Sequence, residues 1–391
     1  MKKCLFAAVA ALFVISATNL GAAATTAITP LWLRDVQISP DGATVAFCYK
    51  GDIWSVPATG GEATRLTSQE GYDSNPVWSP DGTKIAFASR RKGGNDVYVM
   101  SAKGGSATRL TFNSAGEIPT AFTPDGSAVI FSAAIQDPAS SALFPTSSMS
   151  EVYSVPVTGG RVKQILGTPA EMVCFGKGGE FFLYQDQKGF EDEWRKHHTS
   201  SITRDIWRYD FATGRHTNLT NRAGEDRNPV LSPDGGKVYF LAEAPGSTMN
   251  VWEMPLTENA TAAAGSPSSS IPSSWTQVSS FRTHPVRFLS IGGGTLCYTW
   301  DGEIYLQKPG AQPSKLSVTL TLDEENLVER LSVAGGSSDA AVSPDGSQVA
   351  FVVRGEVFVT SVKYKTTKQI THTAAAERGV SFGADNRTLV Y

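Results

Sequence analysis

Ser79-Pro80-Asp81-Gly82, standing between Pro76-Val77-Trp78 and Lys84-Ile85-Ala86-Phe87-Ala88, decides the fold of this chain. Proline presets φ for the first central residue of a tight turn, aspartate tolerates the second, and glycine takes a positive φ without steric cost. The apolar runs on either side are then two antiparallel strands joined by that turn. Working outward, Gly93-Gly94-Asn95 turns the chain into Asp96-Val97-Tyr98-Val99-Met100. Lys103-Gly104-Gly105 turns it once more, into Ala107-Thr108-Arg109-Leu110-Thr111. Four antiparallel strands in about 37 residues, Asn75 to Thr111, is the size of one propeller blade. In Val97-Tyr98-Val99-Met100 both alternating faces are apolar, whereas a lone antiparallel sheet keeps one polar face. Sheets stacked around an axis bury both.

The tetrapeptide returns at Ser39-Pro40-Asp41-Gly42, Ser232-Pro233-Asp234-Gly235 and Ser343-Pro344-Asp345-Gly346, with a variant at Thr123-Pro124-Asp125-Gly126. Two further units have lost it. One turns through Gly176-Lys177-Gly178-Gly179 and the other through Gly292-Gly293-Gly294. Insertions interrupt the beat near residues 134–149, 185–203 and 258–274, the last an Ala/Ser/Pro tract. After Leu316 the rhythm breaks into a charged stretch and restarts at Ala340. A final copy reaches Thr388-Leu389-Val390-Tyr391, which matches only the second strand of a blade. The expectation is an all-β chain: a six-bladed β-propeller of four-stranded antiparallel blades over residues 25–318, a linker over 319–337, and the first blades of a second propeller over 338–391. Because unpaired edge strands are a liability, the chain is expected to be a fragment of a longer protein.

The N-terminus has the pattern of an export signal over residues 1–24: Lys2-Lys3, an apolar run from Leu5 to Leu20, then Ala22-Ala23-Ala24. The product is expected to be periplasmic or secreted, with no membrane association after cleavage. Cys48, Cys174 and Cys297 lie far apart in apolar strands and are expected to be buried small hydrophobes rather than a disulfide framework. The formal charge of −3 gives no basic surface for nucleic acid.

No Gly-x-Ser-x-Gly elbow, His-Glu-x-x-His or Cys-x-x-Cys occurs, so no catalytic residue, metal site or cofactor is assigned. One polar cluster stands out, Glu191-Asp192-Glu193-Trp194-Arg195-Lys196-His197-His198. It is either a solvated loop between strands or a contact for peptides or another domain. In the second case Trp194 is the platform, with Arg195, His197 and His198 as polar partners. Metal binding is disfavoured because neighbouring side chains diverge on a strand. Asp35, Asp73, Asp226 and Asp339 each stand shortly before an inner strand, and satisfied structural hydrogen bonds are expected there. The recurrent Arg-Leu-Thr at outer strands is expected to be structural as well.

Three longer stretches carry a resemblance: Gly51-Asp52-Ile53-Trp54-Ser55-Val56-Pro57-Ala58-Thr59-Gly60-Gly61, Gly71-Tyr72-Asp73-Ser74-Asn75-Pro76-Val77-Trp78, and Glu193-Trp194-Arg195-Lys196-His197-His198 ahead of Thr203-Arg204-Asp205-Ile206-Trp207. With the blade order, they resemble the N-terminal part of tricorn-type serine peptidases, in particular exported bacterial homologues. That resemblance covers roughly residues 30–391. It implies a six-bladed propeller, a seven-bladed one, and a PDZ-like module and serine-histidine-glutamate catalytic domain further on. The implied partners are peptides or unfolded polypeptide and the protein's own C-terminal domains, and assembly into a homo-oligomer is compatible with it. Similar blades occur in periplasmic TolB, a scaffold for protein contacts, and in relatives of prolyl oligopeptidase. A sensor or glycan-binding propeller is a third class.

Overall fold

In the computed structural model, which describes residues 27–135, 149–189, 197, 199–256, 270–321 and 335–391, every Ser-Pro-Asp-Gly copy closes the same hairpin. The Gly42 amide donates to the Ser39 carbonyl at 2.8 Å, and the Ser39 hydroxyl donates to Asp41 Oδ1 at 2.5 Å. That carboxylate oxygen also accepts from the Ala43 amide at 3.0 Å, while Ser39 Oγ accepts from the Thr44 amide at 2.9 Å. Gly42 sits at φ +76°, a conformation that costs glycine little. The same bonds recur at Ser79, Thr123, Ser232 and Ser343. The hydroxyl first, then the backbone amide, holds the turn aspartate below its ordinary range, to about 2 at Asp81 and Asp125.

These turns join the first and second strands of four-stranded antiparallel sheets. Sheet 1 holds Arg34–Ile38, Thr44–Tyr49, Asp52–Pro57 and Thr64–Arg65. Sheet 2 holds Asp73–Trp78, Lys84–Lys92, Gly94–Ser101 and Thr108–Arg109; sheet 3 holds Glu117–Phe122, Ala128–Ala133, Glu151–Pro156 and Lys163–Leu166. Sheet 4 holds Ala170–Phe175, Phe181–Asp186, Ile206–Asp210 and Arg215–Asn218. Sheet 5 holds Asp226–Leu231, Lys237–Glu243, Met249–Pro255 and Thr276–Gln277; sheet 6 holds Arg287–Gly292, Thr295–Trp300, Glu303–Gln307 and Ser314–Lys315. Their first strands touch in cyclic order, and that of sheet 6 meets that of sheet 1. This is a β-propeller, with no helix among the described residues. A seventh four-stranded sheet comes next (Ser337–Val342, Gln348–Val353, Glu356–Ser361, Thr367–Gln369), and then the pair Ser381–Phe382 and Leu389–Val390.

Fourth strands of the wheel are only two to four residues long and are fastened by side chains. Thr67 Oγ1 accepts from the Ile53 amide at 2.9 Å and donates to Asp52 at 3.2 Å. Thr220 does the same with Ile206 and Asp205, and Ser279 with Val251 and Asn250; in the seventh sheet Thr371 does so with Val357 and Glu356. The threonine of Arg-Leu-Thr is therefore structural, as the sequence implied. All three cysteines among the described residues are free; Cys48 and Cys297 are buried, and burial pushes the Cys174 thiol up to about 11.

The wheel closes without exchange of a strand between sheets 1 and 6. Three features hold that seam. The Leu33 amide donates to Gly302 O at 2.9 Å, and the Gly293 amide donates to Pro40 O at 2.9 Å. Leu33, Val36, Ile38 and Phe47 of one side pack with Cys297, Ile304, Leu316 and Leu320 of the other. Lastly, Val318–Thr321 forms a strand parallel to Gly61–Glu62 and antiparallel to Ala27–Ile28. This corrects the expected linker: 319–321 belong to the wheel, because Val318 and Leu320 alternate inward and are buried (4% and 0% exposed). Its other end also shortens, since Ser337 opens a strand. Residues 322–334, and the signal-like residues 1–24, lie outside the described residues.

Close approach at the seam demands glycine. A Cβ on Gly292 would stand 1.9 Å from Ser39 O, and one on Gly293 2.5 Å from Asp41 O. Gly292→Ala is therefore expected to cost about 2 kcal/mol or more in urea denaturation, the scale of overpacking. Gly116→Ala, whose Cβ would meet nothing within 4 Å, is the matched control and should stay within about 0.5 kcal/mol of the parent.

Candidate functional site

Each first strand of the wheel carries a β-bulge, at which register shifts against the second strand. Five of the bulges hold a residue at positive φ: Asp35, Asn75, Met172, Asn228 and Phe288. Asp and Asn tolerate that conformation, whereas Met172 and Phe288 adopt it at a cost set by their Cβ atoms. The bulges curl the strands around the axis and free their side chains to bridge neighbours. Asp35 Oδ2 accepts from the Asn75 amide at 3.3 Å, and Gln185 Oε1 from the Asn228 amide at 3.0 Å.

A cavity of about 400 Å³ lies on the axis, lined from the first strands of all six sheets by Gln37, Trp78, Phe122, Phe175, Leu231 and Ile291. Lys177, in the turn of sheet 4, brings the one charged side chain among its lining residues. Toward the Ser-Pro-Asp-Gly end of the wheel this cavity thus carries a single positive charge and no carboxylate.

The opposite rim is charged where sheets 4 and 5 meet. Arg222 donates to Asp226 at 2.6 Å and to Glu243 O at 3.1 Å, with both ionic side chains essentially buried (2% and 0% exposed). Arg204 reaches Glu225 at 3.2 Å and Glu171 at 3.4 Å; Arg227 shares Glu225 at 3.3 Å. Lys188 bridges Asp205 at 2.5 Å and Asp186 at 3.4 Å. Burial pushes the carboxyls of Asp226 and Asp186 up, against the pull of Arg222 and Lys188 respectively. A small cavity of about 160 Å³ opens beside this network, lined by His197, Thr199, Arg222, Gly224 and Glu243.

Of the residues singled out from sequence, His197 lies on this rim. Its Nδ1 is 3.0 Å from Glu243 Oε1, its amide donates to Glu243 Oε2 at 2.8 Å, and its side chain is 63% exposed. Trp194, Arg195 and His198 lie outside the described residues. The histidines do not converge: His216 Nδ1 is 2.8 Å from Tyr184 Oη, His284 is 3.5 Å from Asp301, and His372 is 3.2 Å from Gln369. Among the described residues no group of three or more His, Cys, Asp or Glu is placed to hold a metal ion. The expected aspartates sit within the first strands rather than ahead of them. Asp73 pairs with Arg91 at 2.9 Å, Asp226 with Arg222, and Asp339 accepts from the Gly379 amide at 3.2 Å. Arg204, Arg222, Glu225 and Arg227 do not stand out from sequence as site residues; for the last three the signal is the charged run Arg222 to Arg227, which leads into the strand Asp226–Leu231.

The geometry defines a propeller with an axial bore and one ionic rim. The chain belongs to the family of the tricorn protease N-terminal β-propeller domain, whose model matches residues 30–313. It is 40% identical over 68 residues to tricorn protease homolog 1 of Streptomyces coelicolor, a match covering 17% of this chain and 6% of that one. It is 37% identical over 70 residues to a TolB homolog of Chlorobium luteolum, covering 18% and 15%. The crystal structure of the tricorn protease superposes with a TM-score of 0.60 at 20% identity, over 91% of this chain and 33% of that one. This chain therefore spans about a third of that structure's length.

Arg222 is the keystone of the rim. Arg222→Met is expected to cost about 3–5 kcal/mol by leaving Asp226 buried and uncompensated. Adding Asp226→Asn should recover a large part of that loss, which a double-mutant cycle of chemical denaturation measures.

Proposed function

We propose that this chain is the N-terminal propeller part of an exported tricorn-like serine peptidase, and that the wheel filters peptides toward a catalytic domain elsewhere in the full protein. The observation that carries this reading is the axial cavity lined by the first strands of all six sheets, in a chain of the tricorn propeller family. A bore of that kind admits an extended chain and rejects a folded domain by width alone. Its lining, with Lys177 as the one charged side chain, offers a passing peptide few fixed charges to bind, so it would pass segments without retaining them. The rim supplies the polar contacts, with His197 and the residues beside it, Trp194, Arg195 and His198, as the contact for peptides or for another domain. In this reading residues 1–24 are the export signal, the product is periplasmic or secreted, and residues 338–391 open a second propeller.

The alternative is a non-enzymatic propeller that scaffolds protein contacts, supported by the match to a TolB homolog. The two differ in the coding sequence beyond Tyr391: a serine-histidine core there favours the peptidase, and its absence favours the scaffold.

For the chain itself no hydrolysis of casein or of short fluorogenic peptides is expected; turnover abolished by a serine-directed inhibitor would overturn the assignment. In the full-length protein, Trp194→Ala with Arg195→Ala should lower turnover of unfolded casein several-fold and leave a dipeptide-sized substrate within about twofold. Equal effects on both substrates would remove these residues from peptide entry.

A further inference from the structure

Glu117 opens the first strand of sheet 3 and is completely buried, yet no donor among the described residues meets either carboxyl oxygen at good hydrogen-bond geometry, the Thr111 hydroxyl and the Asn113 amide lying near it. Its electrostatic neighbour is Asp96 of sheet 2, 1% exposed, whose Oδ2 is likewise without a partner. One cation serves both acids. Arg109 donates to Asp96 Oδ1 at 2.8 Å, and its guanidinium lies over the Phe112 ring at 4.6 Å.

The matching carboxylates of other sheets are differently provided. Asp73 opens the first strand of sheet 2 and has Arg91; Asp226 opens that of sheet 5 and has Arg222. Ahead of the Glu117 strand, Phe112 to Gly116 contains no lysine or arginine. Two buried carboxylates with one guanidinium leave a negative charge that low-dielectric surroundings disfavour strongly. A proton removes it. Protonated Glu117 gains an O–H donor, and Asp96 Oδ2 is an acceptor in want of one.

We propose that Glu117 keeps its proton in the folded protein up to near-neutral pH, with the Asp96 carboxylate as acceptor for its O–H, so that the joint between sheets 2 and 3 is a pH-sensitive element of the wheel. Of the other charged groups on the packed elements, Lys84 and Lys92 are exposed at the ends of the second strand of sheet 2, and Arg90 donates to Asn95 Oδ1 at 3.0 Å. Asp73 is held by Arg91, Glu171 accepts from Gln185 and Arg204, and Glu151 accepts from Tyr153 and Gln164. The second strand of sheet 3, Ala128–Ala133, carries no charge. Burial is the main force raising the Glu117 carboxyl, to about 7; Asp96 adds to it, while Thr111, Arg109 and the Asn113 amide oppose.

Linkage fixes the direction of the effect. With its folded value raised, Glu117 contributes stability that is fully present below its unfolded value near 4.5 and is lost as pH rises through about 7. Glu117→Gln keeps the shape and a donor but cannot ionise. Thermal unfolding of the chain and of Glu117→Gln is compared from about pH 5 to pH 8.5. The variant should match the parent within a degree or two at the acid end and exceed it by several degrees at the alkaline end, for a domain of this size. Parallel curves would overturn the proposal. If the variant does not fold, the parent decides alone: the Glu117 carboxyl carbon, monitored by NMR, should titrate with a midpoint near neutrality. A midpoint near pH 4 would contradict the protonated state.

Discussion

A sheet that is apolar on both faces must be covered on both, and in a wheel every sheet has two neighbours only if the last meets the first. That closure is the constraint on which the rest of this structure depends. Here it is achieved at the seam of sheets 1 and 6 without a shared strand. The seam works because Gly292 and Gly293 let two hairpin turns approach to a distance that any side chain would prevent. It is reinforced by Val318–Thr321, which lies along Gly61–Glu62 and buries Val318 and Leu320 beside Trp54, Val56 and Ala63. Full burial of residues like these is worth about 1.5–3 kcal/mol each. With the ring closed, the six bulged first strands are brought to one axis, and the bore exists only as a consequence.

Charge is distributed to suit that geometry. The stacked faces hold aromatic and aliphatic side chains such as Phe87 on Tyr98 and Phe131 on Tyr153, with ring centroids 5.9 and 5.7 Å apart. Ionic groups collect at one rim, where loops between sheets supply both signs. Buried pairs such as Arg222 with Asp226 are weak stabilisers relative to apolar packing, but breaking one leaves a naked charge. They therefore fix which loop conformation sheets 4 and 5 accept, and so the shape of that rim. Glu117 is the place in the same ring where two buried acids share one arginine, Arg109, and a proton makes up the difference.

Much of the fold was legible in the sequence, because its information is local. Ser-Pro-Asp-Gly specifies a turn through bonds within six residues, and apolar strands on both sides specify stacking. The threonine of Arg-Leu-Thr was legible as structural for the same reason. Val318–Thr321 was not: four residues without turn chemistry look like the start of a linker, and their partners are Gly61–Glu62, more than 250 residues away. The ionic rim was half legible. Arg222 to Arg227 is visible as a charged run, but its bonds to Arg204 and to the Glu243 carbonyl depend on two sheets meeting. Of the loop singled out from sequence, His197 is described and falls on that rim.

Amide hydrogen exchange at the seam tests the closed wheel most directly. The Gly61 and Ala63 amides donate to Ser317 O and Thr319 O at 2.9 and 2.8 Å. In a wheel closed by this strap, they should be protected comparably with the Leu110 amide, which donates to Val97 O inside sheet 2 at 2.8 Å. Leu320→Asp should strip protection from Gly61 and Ala63 while leaving Leu110 slow. Exchange at Gly61 and Ala63 as fast as in an exposed turn, and unchanged by Leu320→Asp, would contradict the account.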